Sequence, residues 1–257
     1  MKQVLRSTKQ AILLVTVAAV AVLWTTGCQS TQGTKGCTAV QNEAFYQDGV
    51  FQADAAKDAY FAMMARFNYP IPAVLKTDEF WVCDFLQGQN AQLGMGGIFW
   101  INEEGEYGKS GCQQYDGEFK GQKFGYLGHE IYCLPMQALP EHRHVGGESG
   151  FGPKMEAWHV RYGEVYFFSE LVTPGGKEIL ISELPEDERP WGYGEPWFKC
   201  KYVVKLGPGE IYKQDNAESW HFLRAAKSGA ILSEYATFHN QVEFSKPGMS
   251  FACTGSE

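Results

Sequence analysis

The residues of this 257-residue chain best suited to chemistry are grouped in Glu141-His142-Arg143-His144. Side chains two apart on an extended strand point to the same side, so His142 and His144 project together while Arg143 faces away. Two imidazoles converging on one face suit a metal ion, with a pair of ordinary strand histidines as the structural alternative. Glu156 follows twelve residues after His144, and seven beyond it Gly163 opens another strand-like run. A return strand antiparallel to the first would bring that carboxylate beside the histidine pair. Further on, the turn Gly207-Pro208-Gly209-Glu210 precedes Trp220-His221-Phe222, a strand bearing one more histidine. Three histidines and a carboxylate suit a divalent transition ion and leave coordination positions open for a substrate. His129, His159 and His239 lack such company and read as surface or supporting histidines outside the ligand set.

Positioning these groups falls to a mainly β structure. From Phe80 onward, short runs rich in β-branched and aromatic residues alternate with Gly, Pro, Asn and Asp: Gly97 to Ile101, His129 to Leu134, Gly163 to Glu170, Glu178 to Ser182, Lys199 to Lys205 and Ala230 to Phe238. Many short strands at such spacing imply a sandwich or barrel. Before them, the apolar pattern from Asn42 to Asn68 predicts helices covering one side of the core, ended by Pro70-Ile71-Pro72. The Pro- and Gly-rich stretch Glu186 to Trp197 reads as a long loop near a barrel mouth and a candidate lid. Trp158, Tyr162, Trp191, Tyr193, Trp197 and Trp220 are candidates for stacking on a ligand. With 44% hydrophobic residues the chain can bury a full core, and residues 42–257 read as one domain. A net charge of -8, with the acidic residues dispersed, argues against a nucleic-acid partner. A small neutral or metal-chelated ligand fits better.

The first 28 residues read as a targeting segment. Lys2, Arg6 and Lys9 precede the run Ala11 to Trp24, and Thr25-Thr26-Gly27-Cys28 resembles a bacterial lipobox whose cysteine is lipidated. An uncleaved membrane anchor is the alternative. Residues 29–41 form a polar tether. The expectation is an exported protein, periplasmic or a cell-surface lipoprotein, touching the membrane only through this segment. Cys37, Cys83, Cys112, Cys133, Cys200 and Cys253 either pair as disulfides in an oxidising compartment or serve as small buried apolar residues. No Cys-x-x-Cys pair suggests a zinc ribbon or thioredoxin-like site.

His142-x-His144, Glu156, six residues and then Gly163 resembles the first cupin motif, and Gly209 through His221 resembles the second. The second is one residue longer than usual, with Asp215-Asn216-Ala217 where a Pro-x-Gly turn is common. Within the cupins, the stretch Phe67 to Phe244 is similar to the D-lyxose isomerase family. That family places a lysine two residues before its metal-binding glutamate, as Lys154-Met155-Glu156 does here. It also places a glutamate in a late strand after a glycine and apolar residues, matched by Gly229-Ala230-Ile231-Leu232-Ser233-Glu234.

The resemblance implies a cupin barrel (double-stranded β-helix, or jelly roll) with an N-terminal helical extension. It implies an aldose–ketose isomerase acting on sugars of the D-lyxose and D-mannose type, and a homodimer. His142, His144, Glu156 and His221 would hold a divalent ion, manganese first, with zinc, cobalt or iron as alternatives. Such an ion can chelate O1 and O2 of an open-chain aldose and acidify the neighbouring C–H. Glu234 would then move the proton between C1 and C2, while Lys154, its pKa lowered by burial and the cation, would shuttle the hydroxyl proton. Two departures bear on sugar preference: the glycine-rich insertion Val145 to Pro153, and Tyr235 to Asn240 where the family carries acidic residues. An exported non-catalytic carbohydrate-binding cupin and a cupin dioxygenase are the competing readings. The acid–base pair of Lys154 and Glu234 argues against the first.

Overall fold

The computed structural model of the chain describes residues 42–90, 92–106, 121, 123–146, 151–238 and 241–254. The signal-like segment, the tether, Cys28, Cys37, Cys112, His239 and residues 147–150 of the glycine-rich insertion lie outside them. The elements are the hairpin β1 (Tyr46–Gln47) and β2 (Val50–Phe51), helix α1 (Ala53–Arg66), then β3 (Trp81–Phe85), β4 (Met95–Glu106) and β5 (Lys123–Cys133). After them come β6 (His142–Arg143), β7 (Glu156–Ser169), β8 (Ile179–Leu180), β9 (Tyr202–Leu206) and β10 (Ile211–Lys213). The last are β11 (His221–Ala236), β12 (Glu243–Phe244) and β13 (Phe251–Thr254).

Where the pattern predicts helices throughout residues 42–68, the structure has one helix and a hairpin. Asp48 and Gly49 both have positive φ, 52° and 78°, the backbone a tight hairpin turn needs. Helix α1 carries Asp54 in its first turn and Arg66 in its last, each complementing the helix dipole. It ends before Asn68, whose φ of 53° leaves helical geometry, with Pro70 beyond. Its buried face, Tyr60, Met63 and Met64, packs on Phe80, Ile98 and Tyr132. Each such side chain contributes about 1.5–3 kcal/mol by leaving water.

Antiparallel pairing runs through the main sheet in the order β13-β3-β4-β5-β11-β7-β9-β8, with β10 on β7 and β6 joining β11 to β12. Strand β11 is the hub: Ala230 to Ala236 lies between β5 and β7, and His221 sits opposite both His142 and Ser169. The sequence pattern starts a strand at Gly163, but β7 begins at Glu156 and runs through that glycine, because Gly163 marks a bulge rather than a strand end. It pairs with Ala230 there and abuts Gly229, with φ of 72° at Gly163 and 80° at Gly229, and a β-carbon on Gly163 would strike the Gly229 carbonyl. The run Glu178 to Ser182 yields only the two residues of β8 before a 3-10 turn, Ile181–Glu183.

Period-two alternation decides what faces inward. On β5, His129, Ile131 and Cys133 face the barrel interior, while Tyr132 faces α1. On β7, Glu156, Trp158 and Val160 point in, and beyond the bulge so do Val165 and Phe167. The outward Tyr166 and Phe168 form a separate cluster with Ile181, Leu184 and Phe222. Stretch Glu186 to Trp197 is not a lid over the interior. Trp191 and Trp197 stack together and, with Phe198, pack behind Leu139 and Pro140, so aromatic burial holds the segment down. The four described cysteines are free thiols: Cys83, Cys133 and Cys200 are buried, and Cys253 lies opposite Cys83 across β13 and β3.

Candidate metal centre and acid–base pair

Strand β6, the start of β7 and the start of β11 deliver His142, Glu156 and His221 to one end of the interior, with His144 just beyond β6. All four are buried. One nitrogen from each of His142, His144 and His221 lies within 4.8 Å of the others. Glu156 Oε1 is 3.0 Å from His221 Nε2 and 3.6 Å from His144 Nε2. Arg143 points outward, as the alternation predicts, pairing with Glu243 at 2.8 Å and lying over the Trp220 ring.

The donor set fits a divalent ion. In each histidine Nδ1 donates to a main-chain carbonyl: Pro140 at 2.8 Å for His142, Gln241 at 2.9 Å for His144 and Ser219 at 2.9 Å for His221. This selects the tautomer whose Nε2 lone pair faces the centre, the arrangement metal-ligating histidines use. Glu156 Oε1 and His221 Nε2 are buried with no hydrogen-bond partner, an expensive state that a cation between them removes. Burial lowers the His142 pKa to about 3 and keeps its ring neutral. No family of first-row ions is singled out by this geometry, since three nitrogens and one oxygen suit several.

Beside the histidines, Lys154 lies between two carboxylates, 2.9 Å from Glu156 Oε2 and hydrogen-bonded to Glu234 Oε1. The protein's own side chains raise its pKa, whereas the lowering expected from sequence includes a bound cation. Burial opposes the ammonium, but Glu156 and Glu234 outweigh burial and hold the charge. Burial likewise works against the Glu234 carboxylate, and Lys154 and His129 override it to bring its pKa below the usual range. Burial opposes the Glu156 carboxylate too, and Lys154 outweighs it and holds its pKa lower still. The structure thus gathers all six residues singled out from sequence at one end of one cavity.

His129 belongs with them, although its lack of neighbours in sequence set it aside as a surface or supporting residue. It is buried, and its Nδ1 lies 2.7 Å from Glu234 Oε2, across the β5–β11 pairing that sets His129 opposite Glu234. Trp81 stacks on its ring at 5.4 Å and Phe99 at 4.5 Å. Gly97 makes that stack possible, because a β-carbon there would run into Trp81 and the His129 Nε2. The inward alternation of His129, Ile131 and Cys133 is the sequence signal that could have found it. Glu141 is a second addition: buried, it accepts the main-chain N–H groups of Lys199 at 3.0 Å and Cys200 at 2.6 Å, tying the histidine segment to its neighbour. Of the six aromatic residues proposed for stacking, only Trp158 lines the cavity among the described residues. His159 is half-buried and faces away from it.

No protein-family model matches the sequence, and no curated protein matches it by sequence. Solved structures do match in fold. The L-ribose isomerase of Acinetobacter sp. DL28 in complex with L-ribose aligns with a TM-score of 0.51 at 16% identity, covering 82% of this chain and 94% of that one. The Cellulomonas parahominis L-ribose isomerase with L-psicose aligns with a TM-score of 0.50, also at 16% identity, over 82% and 94%. The fold is that of the cupins, as the motif spacing implies, with an N-terminal helix added.

Proposed function

We propose that this protein is a metal-dependent aldose–ketose isomerase acting on a small open-chain sugar. One observation carries the reading: a cation-ready cluster, His142, His144, Glu156 and His221, shares its end of the cavity with a carboxylate and an ammonium, Glu234 and Lys154. A binding protein has no use for the second pair. A divalent ion held by the four ligands would polarise the carbonyl and acidify the adjacent C–H. Manganese is the first ion to try. Glu234 takes the proton from C2 and returns it to C1, and His129 fixes the direction of its carboxylate. Lys154 gives a proton to the oxygen at C1 and receives the one leaving the oxygen at C2, so the ammonium is restored.

D-Lyxose and D-mannose are the substrates the motif resemblance suggests. L-Ribose joins them because the structures of like fold act on it. A dimer and an exported, lipid-anchored location complete the proposal, on the strength of the family resemblance and the Lys2 to Cys28 segment.

The test is ketose formation from these three sugars by protein stripped of metal and resupplied with manganese, in parallel with Glu234→Gln. Turnover should require metal and fall by about a hundredfold or more in the variant, with manganese still bound. Turnover that persists in the variant removes Glu234 from its role. Tight manganese binding without turnover on any pentose or hexose leaves the carbohydrate-binding reading.

A further inference from the structure

Most of the polar groups lining the cavity belong to the histidine cluster and the Lys154–Glu234 pair. Its volume is about 240 Å³. Beyond the metal and acid–base residues, the described side chains lining it include no hydroxyl, amide, carboxylate or guanidinium. Phe85, Phe244 and Phe251 form a triangle of rings, with centroids 6.2 to 6.3 Å apart. The Phe244 ring is 6.4 Å from that of the ligand His142, so the apolar wall begins directly beside the metal centre. Met95, Leu139 and Val242 continue it. Four weakly polar groups remain, the indoles of Trp81 and Trp158 and the thiols of Cys83 and Cys253. The thiols of Cys83 and Cys253 engage one another across β3 and β13. The indole N–H of Trp81 is buried and unpartnered, beside His129 at the polar end, and can satisfy one oxygen.

A pentose or hexose chelated through its first two carbons carries hydroxyls on every later one. In this cavity most of those hydroxyls would leave water and meet phenyl rings, with two indoles and the unpartnered Nε2 of His129 among the few groups left to bond them. The same rings would gain from contact with methylene or methyl groups.

From this we infer that the site favours a 2-hydroxyaldehyde or 2-hydroxyketone whose carbons beyond the third are deoxygenated, a deoxysugar or alkyl-chain analogue, over the fully hydroxylated sugars, which it turns over less efficiently. The inference rests on the isomerase reading for the polar head of the substrate, and on Phe85, Phe244 and Phe251 for its tail. Phe251, half-exposed on β13, forms the rim through which the tail enters.

The test separates head from tail. Pentanohydroxamic acid and ribonohydroxamic acid share a metal-chelating head and a five-carbon chain, and differ only in the hydroxyls. Their binding to the manganese-loaded protein is measured by isothermal titration calorimetry, alongside kcat/KM for 2-hydroxypentanal and D-lyxose. The alkyl compound should bind about a hundredfold more tightly, and 2-hydroxypentanal should be preferred by a similar factor. In Phe251→Asn the ratio should narrow towards one. Equal or tighter binding of ribonohydroxamate by the unaltered protein overturns the inference and leaves the isomerase reading standing. The alkyl preference without turnover of any substrate upholds the tail and removes the isomerase. Failure of both hydroxamates to bind overturns the two together.

Discussion

At one end of the cavity, the three histidines each spend a second nitrogen on a main-chain carbonyl, and Lys154 and Glu234 are each held from two sides. In the apolar wall that starts beside His142, Phe85, Phe244 and Phe251 are held by apolar contact with one another. Hydrogen bonds are directional and fix one geometry. Apolar contact is non-directional, so its cost follows area and volume. In the proposed isomerase, one atom among the polar groups would decide whether chemistry occurs, and changes in the apolar wall would adjust which molecule is accepted.

The sharpest test of that contrast removes one ligand. In His142→Ala, manganese should be lost on dialysis, with its thermal stabilisation of the protein and its turnover. Retention of one ion per chain would mean that the four residues do not act as a set. A second change leaves the ligands alone and loosens their neighbour. His129→Asn should lower kcat by about a hundredfold while manganese content stays at the unaltered level, because Glu234 loses the partner that aims its carboxylate. Unchanged kcat and pH profile would show that Lys154 alone orients Glu234. The smallest effect belongs to the apolar end. Phe85→Leu should shift the urea midpoint by an amount equivalent to less than about 1.5 kcal/mol, with manganese still bound. A loss of metal there would show that the two ends are not independent.

Much of the polar end was legible before any fold was known. His142 and His144 are two apart, Lys154 and Glu156 likewise, and a two-residue spacing on a strand means one face. The mainly β architecture was equally open to reading, because β-branched and aromatic runs broken by turn residues reflect a local backbone preference. Less legible were the ends of elements. Gly163 marks a bulge within β7 rather than its start, and only its approach to Gly229 on β11 explains why. The Asp48-Gly49 turn was hidden inside an apolar pattern that also suits a helix. The pairing of Lys154 with Glu234 was hidden, because Glu234 is eighty residues away in sequence and adjoins it only when β11 lies beside β7.

The sequence by itself determined which residues can bind a cation and move a proton, since those capacities belong to imidazole, carboxylate and ammonium groups at short spacing. Only the tertiary structure decided their company. His129 reaches Glu234 across 105 residues of sequence through the β5–β11 register. Phe85, Phe244 and Phe251 come from three separate strands to make one wall. Their juxtaposition comes from long-range strand pairing, which brings together residues whose separation along the chain carries no local signal.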